Sequence, residues 1–276
     1  MIFNYIPMGG IVLAFKKFSA RKGIWGSPWA GTRYFDQLFN SPTFTMILTN
    51  TLILSAMSLL IGFPFPILLA LAFNEIHNAR VKKTLQTITF APYFISTVVM
   101  VSIIFQVFSY HYGLVNAAIK AFGGTAINWF ALPNFFRPVY VFSGIWQGAG
   151  YSSIIYMAAL AGVDPTLYEA ADIDGASRFQ RMMHIDLPSI SSVVVITLIM
   201  NTGSLLSVGF EKAFLLQNDL NYRVSEIIST YVYKVGIEQS QYSFSTAVNL
   251  FNSVVNCFML LIVNYIAGRI GGESMF

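Results

Sequence analysis

Six charged side chains lie within 22 residues of this sequence, between two long stretches that carry no charge. They are Glu169, Asp172, Asp174, Arg178, Arg181 and Asp186. Asp172 and Asp174 have the chemistry of a metal-binding pair, but two carboxylates on a helix-turn surface are more often solvated helix caps. We therefore expect no metal site in this segment.

The other residues with reactive chemistry are isolated. His77, His111 and His184 are far apart in sequence, and none has a second ligand at zinc spacing. Cys257 is the only cysteine, which excludes a disulfide framework and a cysteine-based metal site. A G-x-x-x-x-G-K-[ST] phosphate loop is absent. We expect neither catalysis nor a bound cofactor, and the net charge of +4 from scattered basic residues gives no indication of nucleic acid.

The chain around these residues is strongly apolar, with 55% hydrophobic and 10% charged residues. Soluble domains usually carry about 25% charged residues. Uncharged runs cover residues 1–15, 37–74, 84–119, 138–163, 187–210 and 239–268. All but the first reach the roughly 20 residues that a helix needs to cross a membrane, and the alternating polarity of barrel strands is absent. The predicted fold class is therefore all-α, a polytopic helical membrane protein.

Five full membrane spans are predicted near residues 45–73, 85–108, 139–163, 188–207 and 244–268. The segment 1–15 is too short to cross alone, and we interpret it as the outer end of a further helix that is only partly present in this chain. The parent architecture then has six transmembrane helices. The whole chain, 1–276, is predicted to be a single transmembrane domain.

Basic residues should favour the cytoplasmic side of the membrane. If the charged segment is cytoplasmic, that side holds six basic residues, namely Arg80, Lys82, Lys83, Arg178, Arg181 and Arg269. The outer side then holds ten, namely Lys16, Lys17, Arg21, Lys22, Arg33, Lys120, Arg137, Lys212, Arg223 and Lys234. The simple count opposes this orientation, so charge alone does not settle the topology.

Residues 164–188 are predicted to form two short helices joined by a tight turn. Asp164 is a plausible N-cap before Pro165, and Gly175 can adopt the positive φ that ends a helix sharply. A second helix then leads through Leu187 and Pro188 into the next span. Small residues near the turn permit close approach of a partner, which is typical of a docking surface.

The stretch "EAADIDGASRFQRMMHIDLP" resembles the EAA loop of ABC importer permeases, in the order E-A-A, D-G-A and I-x-L-P. The stretches "IPMGGIVLAFKKF", "GSPWAGTRYFDQLF" and "IWQGAGYSSIIYMAALAGVDPTLYEAA" resemble the carbohydrate-uptake permeases. The ending "GGESMF" is similar to that of their oligosaccharide and polysaccharide branch. Two residues depart from the pattern: Ser192 stands where a proline often follows, and Gln147 stands where a lysine is frequent, which puts the substrate path in doubt there.

The resemblance implies a transmembrane permease of a binding-protein-dependent ABC importer in the bacterial cytoplasmic membrane. Residues 164–188 would be the cytoplasmic coupling loop, which docks into a groove on an ATPase subunit, and this implication decides the orientation against the basic-residue count. Expected partners are two ATPase subunits that bind ATP and Mg²⁺, a second homologous permease, an extracytoplasmic solute-binding protein, a sugar and membrane lipid.

The residues expected to dock the ATPase follow from the matched motif, and they are Glu169, Ala170, Ala171, Asp174, Gly175 and Ala176. Glu169 would accept hydrogen bonds from the ATPase or pair with a basic residue of it. Gly175 would set the turn, and the alanines would fit the groove. The alternative for Glu169 is an acid in the first helical turn, which the helix dipole stabilises by about 0.3–1 kcal/mol.

A sugar path combines aromatic faces with amides and hydroxyls. The polar or aromatic residues of the predicted spans with this chemistry are Trp146, Gln147, Tyr151, Asn201, Asn249, Asn252 and Asn256. The last three fall within one narrow arc of a helix, at about 100° per residue. Hydrogen bonding between helices, at roughly 0.6–2 kcal/mol each, is the other explanation, and both remain open.

An ion-coupled secondary transporter that needs no ATPase is the alternative function. That mechanism requires ionisable groups inside the spans, and the uncharged runs contain no acidic or basic residue. An exporter or a membrane scaffold would leave the EAA pattern unexplained. Neither the sugar, its chain length nor the partner permease can be identified from the sequence.

Overall fold

The computed structural model describes residues 5–203 and 205–271, and within these ranges the chain is helical, with an isolated antiparallel bridge between Lys16 and Trp29. This confirms the predicted all-α class.

The α-helices are α1 (Gly23–Gly26), α2 (Arg33–Phe39), α3 (Pro42–Met57), α4 (Pro64–Asn74), α5 (Ala79–Phe90), α6 (Thr97–Val107), α7 (Leu114–Ala121), α8 (Phe136–Leu160), α9 (Pro165–Ile173), α10 (Arg178–Arg181), α11 (Leu187–Ser189), α12 (Ser191–Thr202), α13 (Phe210–Leu216), α14 (Tyr222–Ser225), α15 (Ile228–Tyr233) and α16 (Tyr242–Gly271). Shorter 3₁₀ helices cover Ile6–Phe15, Ala91–Phe94, Trp129–Ala131 and Pro133–Phe135, and π-helical turns cover Ser58–Gly62, Met182–Asp186 and Lys234–Glu238.

Two continuous helices in the described residues are long and apolar enough to cross a membrane, Pro42–Asn74 and Tyr242–Arg269. Two bent pairs bring the number to four if each pair is one span: Ala79–Phe94 with Thr97–Val107, at 101°, and Arg178–Ser189 with Ser191–Thr202, at 61°. These account for four of the five predicted spans. The fifth, 139–163, falls on α8, whose 25 residues are long enough to cross but include serines and glutamine that make it less apolar.

Prolines lie next to the breaks and irregular turns of the long helices. A proline has no N–H to donate and disfavours the α conformation in the residue before it. Pro92 is the second residue of the short 3₁₀ helix Ala91–Phe94, after which the backbone is extended at Ile95. Pro188 lies two residues before the break at Ile190. Pro64 directly follows the π-helical turn and Phe63, and the helix continues from there to Asn74.

The predicted outer end of a first helix is a ten-residue 3₁₀ helix, Ile6–Phe15. Runs of 3₁₀ helix this long are uncommon. Gly9 and Gly10 disfavour the α conformation here, by about 1 kcal/mol each relative to alanine. Residues 1–4, and all of the terminal GGESMF motif after its first glycine, lie outside the described residues.

The chain forms two compact units. Unit 1 comprises Met1–Ser55, Ile104–Arg137 and Ser204–Met259. Its core contains the buried side chains of Leu38, Ile47, Ile228, Val235, Phe244 and Val248.

Unit 2 comprises Ala56–Ile103, Pro138–Gly203 and Leu260–Phe276, and the candidate coupling loop belongs to it. Its core contains Ala70, Leu71, Tyr156, Leu160 and Ile190. The single transmembrane domain remains a prediction.

Candidate functional site

The candidate coupling loop, residues 164–188, begins with a capped helix. The carboxylate of Asp164 accepts a hydrogen bond from the backbone N–H of Thr166 at 2.9 Å, and Pro165 is the first residue of α9. The predicted N-cap is therefore confirmed. The hydrogen bond from Thr166 also lowers the pKa of Asp164, which favours its charged form at the helix N-terminus.

The turn after α9 depends on Gly175, which has a φ of +73°. The N–H of Gly175 donates to the carbonyl of Asp172 at 3.2 Å, and the N–H of Ala176 donates to the carbonyl of Ala171 at 2.9 Å. These two bonds form a Schellman motif, which satisfies the last carbonyls of the helix. The predicted sharp stop at Gly175 is confirmed.

The second helix of the loop begins with a capping box at Ser177. The Ser177 N–H donates to the side chain of Gln180 at 2.8 Å, and the Gln180 N–H donates to the Ser177 hydroxyl at 3.4 Å. The chain then passes from α10 through the π-helical turn Met182–Asp186 and through α11 into α12. The predicted pair of short helices that leads into a span is therefore present.

The tip of the loop is open in the described part of the chain. Glu169, Ala170, Asp174 and Gly175 are exposed, whereas Ala171 and Ala176 are half-buried. Two apolar neighbours, Ile173 and Phe179, expose 88% and 66% of their surface. Exposed apolar side chains beside small residues favour a protein partner. The docking role of these six residues remains a prediction.

The base of the loop is closed by a buried carboxyl group, Asp186, which sequence reasoning named among the six charges without assigning it a role. Asp186 has no exposed surface, and its Oδ1 accepts hydrogen bonds from the Tyr168 hydroxyl at 2.5 Å and from the Asn74 amide at 3.3 Å. These donors belong to α9 and to the end of α4. The available signal was the position of Asp186 between Ile185 and Leu187, where a solvated charge is unexpected.

Tyr168 is the stronger of the two donors because its hydrogen bond is shorter. Burial and, second, the hydrogen bond to Asp186 together raise the pKa of Tyr168 from 10.0 to about 12. The phenol is therefore protonated at neutral pH and remains a donor.

An ion-pair cluster supports the same base from its exposed side. Arg181 pairs with Asp172, and its Nη2 lies 3.9 Å from Oε2 of Glu75. Arg178 approaches the same oxygen at 3.9 Å. Glu75 directly follows α4, so the cluster also joins the loop to this helix. Asp172 is used in an ion pair, and no three His, Cys, Asp or Glu side chains of the described residues come together as metal ligands.

Four of the predicted sugar-path residues lie in unit 2, and two of them contribute exposed aromatic faces. Tyr151 stacks on Tyr93 with ring centroids 3.9 Å apart and planes 6° apart, and Phe94 meets Tyr151 edge-on at 6.3 Å. Trp146, one turn earlier in α8, is 51% exposed and Tyr151 is 43% exposed. Flat, exposed rings of this kind can cover the apolar face of a sugar.

Gly150 brings the backbone of α8 close to that of α5 beside these rings. A Cβ atom at Gly150 would lie 2.2 Å from the carbonyl oxygen of Thr89, which no side chain tolerates. A Cβ atom at Gly148 would meet nothing within 4 Å. The close approach therefore depends on Gly150, and it places Tyr151 within stacking distance of Tyr93.

The two amides of unit 2 form hydrogen bonds to backbone carbonyls. The side chain of Gln147 donates to the carbonyl of Ile95 at 2.8 Å, at the bend between Ala79–Phe94 and Thr97–Val107. Asn201 is exposed, and its amide donates to the carbonyl of Thr197, one turn earlier in α12, at 2.7 Å. Their place in a sugar path remains a prediction.

The three asparagines of α16 lie in unit 1 and differ in burial. Asn249 is exposed and Asn252 is half-buried, with an Oδ1 atom that is buried without a partner among the described residues. Asn256 is buried, accepts a hydrogen bond from the N–H of Leu206 at 2.9 Å and donates to the Ser207 hydroxyl at 3.0 Å. The geometry of Asn256 fits the structural alternative, and the place of Asn249 and Asn252 in a sugar path remains a prediction.

Unit 1 also contains a buried charge that lies outside the predicted spans. Glu226 has no exposed surface, and its Oε2 accepts from Lys234 at 2.6 Å and from Gln217 at 2.8 Å. Sequence reasoning counted Lys234 only as an outer basic residue. Because the carboxylate is already paired with a lysine, the cluster has the form of a structural ion pair.

Three comparisons with known proteins bear on this geometry. Residues 62–272 match the family model described as "Binding-protein-dependent transport system inner membrane component". The chain is similar to the "Polygalacturonan/rhamnogalacturonan transport system permease protein YteP" of Bacillus subtilis (strain 168), with 46% identity over 100% of this chain and 86% of that protein. It is also similar to "Protein LplB" of the same organism, with 44% identity over 100% of this chain and 87% of that protein.

The fold is similar to that of a solved structure. The chain matches a bacterial ABC transporter involved in the import of the acidic polysaccharide alginate, with a TM-score of 0.91 and 39% identity over 98% of this chain and 91% of that chain. A second structure of the alginate transporter, in complex with an alginate pentasaccharide-bound periplasmic protein, matches with a TM-score of 0.91.

Proposed function

The chain belongs to the family of binding-protein-dependent transport system inner membrane components, and we propose that it works in a complex with two ATPase subunits, a second permease and an extracytoplasmic binding protein. It is a sugar permease of the ABC importer class, which the matches over its full length support. An ion-coupled transporter is not favoured, since the sequence has no Asp or Glu inside a predicted span. The bacterial cytoplasmic membrane is the proposed location.

One observation carries the proposed coupling to ATP hydrolysis: the loop 164–188 is exposed at its tip and held at its base by Asp186. ATP and Mg²⁺ would bind to the ATPase subunits, whose closure displaces the tip. Because Asp186 joins Tyr168 of α9 to Asn74 of α4, displacement of the tip moves the helix that ends at Asn74. The ion pair of Arg181 and its approach to Glu75 act in the same way.

The proposed substrate is an oligosaccharide or polysaccharide that contains uronic acids. Two similar proteins are named for acidic polymers, polygalacturonan in one case and alginate in the other. Tyr151, Tyr93 and Trp146 offer the aromatic faces on which sugar rings pack. Within the complex, these groups would bind the pyranose rings while other groups bind the carboxylates.

Cysteine labelling in intact cells tests the orientation on which the coupling depends. In a Cys257→Ser background, Leu220→Cys should react with an impermeant reagent, and Ser177→Cys should react only after the membrane is permeabilised. Leu220 is suitable because it is 64% exposed, whereas the neighbouring Asn221 is 3% exposed. The reverse pattern would contradict docking of the loop to a cytoplasmic ATPase.

The substrate class is tested with the complete complex in proteoliposomes, together with its binding protein. Oligogalacturonate should stimulate ATP hydrolysis, and maltooligosaccharides of equal length should not. If the neutral maltooligosaccharides alone stimulated ATP hydrolysis, the proposal of a uronic acid substrate would be rejected, whereas the permease function would stand.

A further inference from the structure

The segment from Lys16 to Arg33 is the most basic part of the chain that the proposed function does not use. It contains five of the 16 basic residues, and the sequence has no acidic residue before Asp36. Four of the five are exposed, namely Lys17, Arg21, Lys22 and Arg33. Trp25 and Trp29 expose 76% and 69% of their surface beside them. Exposed tryptophans and cations together are typical of the zone where a membrane protein meets lipid headgroups.

The segment is a folded structure that holds both indoles outward. The buried Lys16 donates from Nζ to the carbonyls of Ile24 at 3.2 Å and Trp25 at 2.9 Å. The same ammonium lies 5.8 Å from the ring centroid of Trp25 and 5.3 Å from that of Trp29. The N–H of Lys17 also donates to the carbonyl of Pro28 at 2.8 Å, which ties the two ends of the segment together.

The segment is fixed at the point where a membrane-crossing helix begins. The hydroxyl of Ser243, the second residue of α16, donates to the carbonyl of Lys16 at 2.6 Å and accepts from the N–H of Phe18 at 3.1 Å. Phe18 also meets Tyr242, the first residue of α16, edge-on at 5.7 Å. Tyr242–Arg269 has 28 residues and is therefore about 42 Å long, which matches a bilayer together with its headgroup regions. We therefore expect its first residues at the level of the headgroups.

The beginning of the other continuous span lies near the same place. Phe39, at the end of α2, packs edge-on against Phe44 at 5.4 Å and Phe251 at 5.6 Å. Phe44 lies in the first turn of Pro42–Asn74, and Phe251 lies in α16. Arg33, the last residue of the basic segment, begins α2, so the segment is joined directly to the start of α16 and through α2 to the start of Pro42–Asn74.

We propose that residues 16–33 bind the phosphate headgroups of anionic phospholipids, such as phosphatidylglycerol, in the leaflet where Pro42–Asn74 and Tyr242–Arg269 begin. The four exposed cations pair with phosphates, and the two indoles lie at the level of the headgroups. Attachment of the segment to the span ends favours lipid as the ligand, because lipid headgroups lie at that level. An acidic protein or saccharide would not require the basic residues to lie so close to the membrane. The binding also accounts for four of the ten basic residues that oppose the expected orientation, because these four serve a lipid contact.

Quenching of the fluorescence of Trp25 and Trp29 by brominated lipids measures this contact directly. The complete complex is reconstituted in phosphatidylcholine vesicles that contain equal amounts of either brominated phosphatidylglycerol or brominated phosphatidylcholine. The signal of the two indoles is obtained by subtraction of a Trp25→Phe/Trp29→Phe variant. We expect stronger quenching by the brominated phosphatidylglycerol. Arg21→Gln/Lys22→Gln should reduce this preference about 25-fold, since each of the two cations near an anionic surface contributes about fivefold.

The matched control removes two exposed cations from the same predicted side, Lys120→Gln/Arg223→Gln, and should keep the preference. Equal quenching by the two lipids would overturn the proposal. So would protection of the indoles from both lipids, which indicates that another subunit covers the segment. Loss of quenching on addition of oligogalacturonate would overturn it in favour of a saccharide site. A melting curve of each variant shows that it is folded.

Discussion

The hydroxyl of Tyr168 donates a 2.5 Å hydrogen bond to the fully buried carboxyl group of Asp186. Tyr168 lies in α9 and Asp186 ends the π-helical turn that precedes α11, so this bond closes the candidate coupling loop across its base. Asn74 donates to the same oxygen from the end of α4. A force on the tip of the loop therefore reaches α4 through side chains that are already in contact.

Tyr168→Phe should lower the free energy of unfolding by about 1–3 kcal/mol, because it leaves the buried carboxyl group with Asn74 as its remaining donor. Stimulation of ATP hydrolysis by loaded binding protein should fall as well. The matched control is Tyr112→Phe, which removes a hydroxyl from a side chain that is 85% exposed. The measurement is denaturant unfolding of the assembled complex in detergent, and equal stability of the two variants would contradict the role of Tyr168.

A comparison of wild type with Tyr168→Phe at high pH tests whether the protonated phenol causes the difference in stability. The pKa of Tyr168 is raised from 10.0 to about 12, so the folded state favours the protonated phenol. Its contribution is fully present below pH 10 and is lost as the pH rises through about 12. The difference in stability between wild type and Tyr168→Phe should therefore be constant up to pH 10 and shrink above it. A difference that grows above pH 10 would have the wrong sign.

Gly175→Val should uncouple transport from ATP hydrolysis while the protein still inserts into the membrane. A β-branched residue at φ +73° costs about 1–3 kcal/mol of local strain. Nothing lies within 4 Å of a Cβ atom at this position, so crowding adds no cost. Gly175→Asn is the control, since asparagine tolerates this conformation and should retain transport per assembled complex. Equal failure of both variants would show that the backbone conformation is not the cause.

Glu169→Lys should abolish co-purification with the ATPase without a loss of stability. Glu169 is exposed and forms no ion pair with another described residue, so the unfolding free energy should change by less than about 0.5 kcal/mol. Glu238→Lys makes the same charge change at an exposed position outside the coupling loop and should leave the complex intact. Recovery of the ATPase with Glu169→Lys would show that this residue is not part of the docking surface.

Gly150→Ala should destabilise the protein by about 1–3 kcal/mol, because its Cβ atom would lie 2.2 Å from the Thr89 carbonyl oxygen and would force α8 away from α5. Gly148→Ala in the same helix should be neutral or stabilising by up to about 1 kcal/mol, since open space surrounds its Cβ atom. Thermal unfolding compares the pair. Identical melting temperatures would show that the close approach at Gly150 does not hold α8 in place.

Asn252→Leu and Asn256→Leu should separate the two explanations for the amides of α16. Asn256→Leu leaves the N–H of Leu206 without its acceptor, which should cost about 1–3 kcal/mol of stability. Asn252→Leu removes a buried oxygen that has no partner among the described residues, so stability should be unchanged or higher. Transport per assembled complex should fall for Asn252→Leu. Normal transport by this variant would exclude Asn252 from the sugar path.

The sequence predicted those features that depend on local pattern. Uncharged runs indicated helices that cross a membrane, and the order of Asp164, Pro165 and Gly175 predicted the caps and the turn of the coupling loop. The sequence did not predict the contacts of Asp186, because Asn74 and Tyr168 are distant from it in sequence. It did not predict the ion pair of Glu226, because Lys234 was counted only as a basic residue outside the membrane. The 101° bend after Phe94 was also missed, since hydropathy reports how apolar a segment is but not the direction of its backbone.

The hydrogen bond from Gln147 to the carbonyl of Ile95 supports the bend between α5 and α6 with a neutral donor. An amide has no proton that titrates in the working range of a protein, so this support is independent of pH. It also adds no charge next to Trp146 and Tyr151, and the carboxylates of the proposed substrate would therefore have to be neutralised by groups other than Gln147.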